Sequence, residues 1–164
     1  MKKLVLALLA VVMMGGAAFA ASDLKLIVGA DLSSKLESTK VDTGFLIGAE
    51  WLFPVSDIVK IGPGIQYGFE RDVKNVGWGI SLLPIYATIE INPIESVKEL
   101  FFKGSLGFGT VIGEDDSESG LYYGFGAGYN ITEELSVGAG YFITSSDPEF
   151  KTFQINVGYK FAME

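Results

Sequence analysis

The sequence predicts an all-β protein, namely an eight-stranded antiparallel up-and-down transmembrane β-barrel. Apolar and polar residues alternate with a period of two over about eight segments, which is typical of strands whose two faces meet different environments. The chain also holds 21 glycines and 13% aromatic residues. Because no long apolar segment follows residue 20, a helical membrane protein is not expected.

Residues 153–161 show the alternation most clearly and predict the final strand. Successive side chains of a strand point to opposite faces, so one face could contact lipid while the other lines a polar interior. The apolar set is Phe153, Ile155, Val157, Tyr159 and Phe161, and the set between them is Gln154, Asn156, Gly158 and Lys160.

Six of the seven preceding segments repeat this pattern. The second strand places Val41 on the apolar outer face and Asp42 and Glu50 on the inner face, and the third strand places Glu70 on the inner face. Glycine is frequent on the inner faces, where it relieves crowding inside a small curved barrel. The segments cover roughly residues 23–32, 41–53, 59–70, 100–112, 121–129 and 135–143.

The fourth segment, near residues 78–91, departs from the pattern. Ile80 and Leu82 fit one parity, whereas the apolar residues from Ile85 onward fit the other. Pro84 stands at the change of phase, and a β-bulge there would reconcile the two halves. Pro63 in the third strand cannot donate a ladder hydrogen bond. We therefore expect a local break in the ladder at both prolines.

Alternation alone leaves open whether the apolar face points outward or inward, as it would in a soluble lipocalin-like barrel or a β-sandwich. Aromatic residues at both ends of the apolar faces favour a membrane barrel, because amphipathic rings gather at headgroup level. Lys151, at one end of the last strand, is the exception on an otherwise uncharged apolar face. The bulky residues predicted on the inner faces, which count against an open lumen, are Leu46, Tyr86, Tyr122 and Phe142. The two predicted girdles are Trp51, Phe53, Phe102, Tyr129, Tyr159 and Phe161 at one end, and Tyr67, Phe69, Tyr123, Tyr141 and Phe153 at the other.

Residues 1–20 predict a cleaved secretory signal peptide. Lys2 and Lys3 precede an apolar run, and small residues end at Ala18-Phe19-Ala20, an A-x-A-like cleavage site. The run is short for a membrane anchor. We expect residues 21–164 to form one barrel domain, with no linker or second domain.

The chain resembles the small eight-stranded outer-membrane barrels of the OmpA transmembrane-domain and OmpX type. The likeness lies in residues 124–132 (Gly-Phe-Gly-Ala-Gly-Tyr-Asn-Ile-Thr), in residues 135–141 and in the closing residues 154–161. The resemblance implies the outer membrane, both termini in the periplasm, and short outer loops at residues 33–40, 71–77, 113–119 and 145–149. It also implies contact with outer-membrane lipid and lipopolysaccharide, and recognition of the C-terminal strand by the barrel-assembly machinery. Since the chain stops after the barrel, we expect no peptidoglycan-binding domain.

Composition excludes several functions. The chain has no cysteine and no histidine, and its formal net charge is −8, with Arg71 as its single arginine. A basic nucleic-acid footprint is therefore missing. Enzymes among the barrels that this chain resembles rely on a histidine, so we predict no enzyme, no cofactor and no metal site. The acidic loop of residues 114–118 could bind Ca²⁺ or bridge to lipopolysaccharide, but it lacks EF-hand spacing and reads better as a solvated loop.

Charges of both signs occupy the predicted inner faces. Buried charges persist when they are paired, so we predict an ion-paired network with a structural or gating role. In it, Glu50 and Glu70 would neutralise Lys60 and Lys103. A paired-carboxylate site at Glu50 and Glu70 is the alternative. The predicted network comprises Lys60, Lys103, Lys160, Glu50, Glu70 and Glu90.

Three functions compete on these observations. The first is a structural or surface-interaction barrel acting through its outer loops, favoured because eight strands enclose an interior that side chains fill. The second is a narrow pore for water, ions or small solutes, favoured by the many inner glycines. The third, a lipid-modifying enzyme, is disfavoured by the missing histidine. If ion pairs alone plug the lumen, replacing Lys60 or Lys103 by alanine should open it.

Overall fold

A computed structural model describes residues 22–74, 77–94, 97, 99–114 and 116–163 of the chain. The predicted signal peptide of residues 1–20 lies outside the described residues. Within them, no helix is long and apolar enough to cross a membrane. The strands are β1 (Ser22–Leu36), β2 (Thr39–Val41), β3 (Gly44–Ser56), β4 (Val59–Asp72), β5 (Gly79–Ile91), β6 (Leu100–Ile112), β7 (Ser117–Asn130), β8 (Leu135–Ser145) and β9 (Phe150–Met163).

The strands form one closed antiparallel barrel. From β3 to β9 each strand pairs with the next one along the chain, and β9 pairs back with β1, from Ser22–Met163 to Leu36–Phe150. β2 and β3 pair with β1 in one register and together make a single interrupted wall strand. The barrel therefore has eight strands, which confirms the predicted fold.

The two edges of the barrel differ. The edge that holds Ser22 and Met163, together with the connections after β3, β5 and β7, is called the terminal rim here. The edge that holds the turn at residues 37–38 and the connections after β4, β6 and β8 is called the loop rim.

The outer wall is an apolar band between two sets of aromatic rings. Leu26, Phe45, Ile85 and Phe125 are among its exposed side chains, and the outward positions between the ring sets carry no charge. At the terminal rim the rings of Tyr159 and Phe161 lie 4.7 Å apart, and other predicted girdle residues are exposed in the same way. Such a surface matches a membrane-spanning barrel, since a soluble domain rarely exposes so large an apolar patch.

Three neighbouring wall strands change face at one level near the loop rim. The β1–β9 register shifts between Asp31 and Ser33, and the β4–β5 register shifts between Gly68 and Arg71. β2 and β3 are interrupted at residues 42–43 between them. Each irregularity adds one residue, so that side chains beyond it point to the opposite face. The prediction that Val41 faces outward is therefore wrong, because Val41 is buried inside, and Asp42 lies half exposed at the rim rather than within the lumen.

The two prolines behave differently. The β3–β4 ladder runs to Glu50–Gly64 and resumes, unshifted, at Phe53–Ile61, so it is interrupted near Pro63 as predicted. The bulge predicted at Pro84 is absent, because β5 pairs with β6 without a shift from Ser81–Ile112 to Ile91–Phe102. Ile80 and Leu82 share the inward parity of Pro84 and are apolar residues of the interior.

Candidate functional site: the filled lumen

The terminal half of the lumen holds two buried ion pairs. Glu50 on β3 accepts from Lys103 on β6 and from the hydroxyl of Tyr86, whose oxygen lies 2.8 Å from Glu50 Oε1. Lys25 on β1 lies 3.2 Å from Glu90 on β5, and its ammonium sits 4.5 Å from the centre of the Phe101 ring. These charges face inward because they occupy the inner parity of regular strands.

Two predicted lysines lie nearer the terminal rim. Lys60 pairs with Asp23 at 2.6 Å, and both side chains remain about a quarter exposed. Lys160 donates to the side-chain oxygen of Asn130 at 3.3 Å. Sequence reasoning had not assigned Asp23 to Lys60, because that contact joins β1 to β4 across β3 and cannot be read from one strand.

Glu70 is not in the lumen. Phe69 and Glu70 together face a single residue of β5, and this bulge turns Glu70 outward and Arg71 inward. The predicted inward position of Glu70 is therefore wrong. Glu50 and Glu70 do not meet, so the paired-carboxylate alternative has no structural basis.

Arg71 takes the inner position and is 4% exposed. Its guanidinium is ion-paired with Asp31 on β1, and Thr152 donates to Asp31 at 2.9 Å. Because that hydroxyl is already donating, Ser34 donates to Thr152 across a separation of 2.9 Å. A buried charge needs such partners to offset its desolvation. The only signal for this site in the sequence was that Arg71 is the single arginine.

Three aromatic rings cross the middle of the lumen. Tyr86, Tyr122 and Phe142 form a buried cluster, in which the Tyr122 and Phe142 rings are stacked with centres 5.6 Å apart. Tyr122 is fully buried. The inward positions predicted for these residues and for Leu46 are confirmed.

An apolar plug closes the lumen at the loop rim. The three strand irregularities turn Leu36, Val41 and Val73 inward, where they join Ile80 and Leu82 from β5. Trp78 packs against the plug from the loop rim, and the Phe150 ring lies 5.5 Å from the Arg71 guanidinium. The plug consists of Leu36, Val41, Val73, Ile80, Leu82, Val111 and Phe150.

Several inner glycines make room for large side chains rather than for a channel. A Cβ atom added to Gly64 would lie 2.6 Å from the Tyr86 ring, and one added to Gly158 would lie 2.6 Å from Cε of Lys25. Real Cβ atoms do not approach other atoms so closely. A cavity between Lys25 and Lys103 measures about 10 Å³, close to the minimum that one water needs.

A shallow cup of about 280 Å³ opens at the loop rim above the plug. Its lining includes the apolar residues Leu36, Ile80 and Trp78 and the acidic residues Glu114 and Glu118. Among the described residues, no group of three acidic side chains is arranged to hold a metal ion. Asp115 of the acidic loop lies outside that set.

Solved structures of other outer-membrane proteins resemble this barrel. The attachment invasion locus protein Ail of Yersinia pestis aligns with a TM-score of 0.62 and 17% identity, over 87% of this chain and 99% of Ail. The N-terminal barrel of OprF from Pseudomonas aeruginosa aligns with a TM-score of 0.56 and 16% identity, over 86% and 99%. These TM-scores show a similar fold, and with identities this low the likeness extends to the fold alone. No curated protein sequence matches the chain.

A second structure of Ail, in complex with the heparin analogue sucrose octasulfate, aligns with a TM-score of 0.65 and 18% identity, over 86% of this chain and 99% of that one. In addition, residues 5–161 match the family described as "Outer membrane protein beta-barrel domain". The chain therefore belongs to this family of outer-membrane β-barrel proteins, as the resemblance in its sequence implied.

Proposed function

We propose that this barrel is a sealed scaffold with a structural or surface-interaction role, exerted at the loop rim rather than through its lumen. The observation that carries the proposal is the succession of obstacles in the lumen: buried ion pairs, the ring cluster and the apolar plug. The alternative of a narrow pore was based on the inner glycines, but bulky side chains fill the space beside several of them.

The charge network is proposed to be structural. Lys103 and Glu50, and likewise Lys25 and Glu90, neutralise one another in a space that water scarcely enters. Removing one member leaves a buried charge, which destabilises the fold. Gating through these pairs is not favoured, because the plug would still close the lumen after a pair had opened.

The loop rim is the proposed working surface and faces outside the cell, with both chain termini in the periplasm. The signal-peptide pattern of residues 1–20, and the start of β1 and the end of β9 at the terminal rim, support this orientation. The proposed surface ligand is anionic, since a protein of similar fold was solved in complex with the heparin analogue sucrose octasulfate. Lipopolysaccharide and, during assembly, the machinery that recognises the final strand are the proposed partners. We propose no enzymatic activity.

Conductance tests this proposal. We expect the refolded chain to give no current steps in a planar bilayer, and Lys103→Ala to remain silent because the plug is intact. The double variant F150A/Y122A, which removes the aromatic ring of the plug and the central ring of the cluster, should raise conductance. A heat-dependent gel shift controls for folding. Reproducible steps from the unmodified chain would overturn the sealed scaffold and favour the narrow pore.

A further inference from the structure

Four lysines stand side by side across the wall at the loop rim. Lys35 on β1 is directly opposite Lys151 on β9 and Lys40 on β2. A bridge joins Val41 to Val73, and the Lys74 amide donates to the Lys40 carbonyl, so Lys74 stands beside Lys40. Lys151, Lys35, Lys40 and Lys74 are called the lysine row here.

The strand irregularities place this row on the outer wall. Lys35, Lys40 and Lys74 all have the inward parity of the regular parts of their strands, and each irregularity reverses that parity. The same reversal sends the neighbouring Leu36, Val41 and Val73 into the plug. The same strand irregularities therefore close the lumen with apolar side chains and place the lysines on the outer wall.

The row is only partly neutralised by the protein. Lys151 pairs with Glu149 at 2.5 Å, and Lys74 pairs with Asp42 at 3.0 Å. Within the described part of the chain, no ion pair involves Lys35 or Lys40, although Glu37 and Asp72 are exposed nearby. Like charges directly opposite each other destabilise a sheet. An anion bound outside the protein would remove that repulsion.

The position of the row along the barrel axis indicates where the anion comes from. Lys151 lies one outward position beyond Phe153, and Lys74 follows the bulge at Phe69, so the row borders the ring set on the loop side. Aromatic rings of a membrane barrel mark headgroup level, where lipid phosphates are found. Three strand spacings of about 4.8 Å make the row about 14 Å long, which is wider than one phosphate.

We propose that the lysine row binds the phosphate groups of a lipid headgroup in the leaflet at the loop rim, with Lys35 and Lys40 as the central contacts. This inference rests on the proposed function, because it requires the barrel to span a membrane with its loop rim at a lipid surface. It adds to that function the binding site and the ligand chemistry, a headgroup carrying more than one phosphate.

The test titrates the refolded barrel in zwitterionic mixed micelles with bisphosphorylated lipid A and, separately, with its dephosphorylated form. Binding is followed by the rise in the temperature of half-unfolding on gels. We expect K35Q/K40Q to bind the phosphorylated lipid roughly 10- to 30-fold more weakly. The matched control is S117E/S119E on β7, which makes the same change of net charge on the opposite wall and should bind like the unmodified chain.

Without anionic lipid, K35Q/K40Q should be at least as stable as the unmodified chain, because repulsion within the row is relieved. Equal binding by K35Q/K40Q and the unmodified chain, or equal effects of the two lipids, would overturn the site. An equal rise in the temperature of half-unfolding with soluble inorganic phosphate would contradict the proposal that the phosphate belongs to a lipid. Failure of the unmodified chain to insert into vesicles would overturn the proposed function itself, whereas insertion without phosphate preference would overturn the row alone.

Discussion

In the terminal half of the lumen, charged side chains lie where the alternation of each strand directs them, whereas in the loop half three neighbouring strands exchange their faces. Glu50, Glu90 and Lys103 belong to the first half, and Arg71 with the plug residues belongs to the second. Side chains of one parity, even or odd, therefore face the lumen at one end of such a strand and face outward at its other end. A single added residue per strand is enough to convert a polar interior into an apolar seal.

The largest effect should come from Arg71, which lies where the two halves meet. R71M would leave Asp31 buried without its cation and should lower the free energy of unfolding by about 3–5 kcal/mol. Urea unfolding of the refolded barrel in micelles measures it. The double variant R71M/D31L removes both charges and should recover most of the loss. A loss below about 1 kcal/mol for R71M would mean that the pair contributes little to the loop half.

A smaller effect is expected where a glycine accommodates a ring of the regular half. G64A would press a methyl group against Tyr86 and should destabilise the barrel by about 1–3 kcal/mol, as overpacking does. G104A is the control, because Gly104 lies on the outer face of β6 opposite Ile89, and its added carbon would lie 3.3 Å from one methyl group of that residue. If both variants unfold at the same urea concentration, the space beside Gly64 is not needed for the Tyr86 ring.

The smallest effect is expected for the pair at the terminal rim. K60A breaks a contact with Asp23 that is part-exposed and screened by water, so the free energy of unfolding should change by about 1 kcal/mol or less. K60R, which keeps the charge, serves as the control. A loss from K60A comparable to that from R71M would contradict the distinction between the two halves.

Sequence alternation predicted the eight strands and most inward residues, including Tyr86, Tyr122 and Phe142, because a regular strand has only two faces. It also predicted the inward positions of Glu50 and Lys103. It failed at Val41 and Glu70, since a bulge reverses parity without leaving a mark in composition. Ile80 and Leu82 were assigned to a bulge at Pro84 because apolar residues were expected to face lipid, whereas these two face the plug. The sequence did contain one signal of the exchange of faces, namely three apolar residues within or beside the predicted polar loops: Leu36, Val41 and Val73.

The exchange of faces at the loop rim can be measured most directly by the accessibility of neighbouring residues. The chain contains no cysteine, so single variants K35C, L36C, K40C and V41C each carry one thiol. Their reaction with a charged, water-soluble maleimide is followed on the barrel refolded in vesicles. We predict rapid labelling at positions 35 and 40 and slow labelling at 36 and 41, which are buried in the plug. The reverse order, with 35 and 40 protected and 36 and 41 labelled, would mean that the strands keep their parity to the rim and that neither the plug nor the lysine row exists.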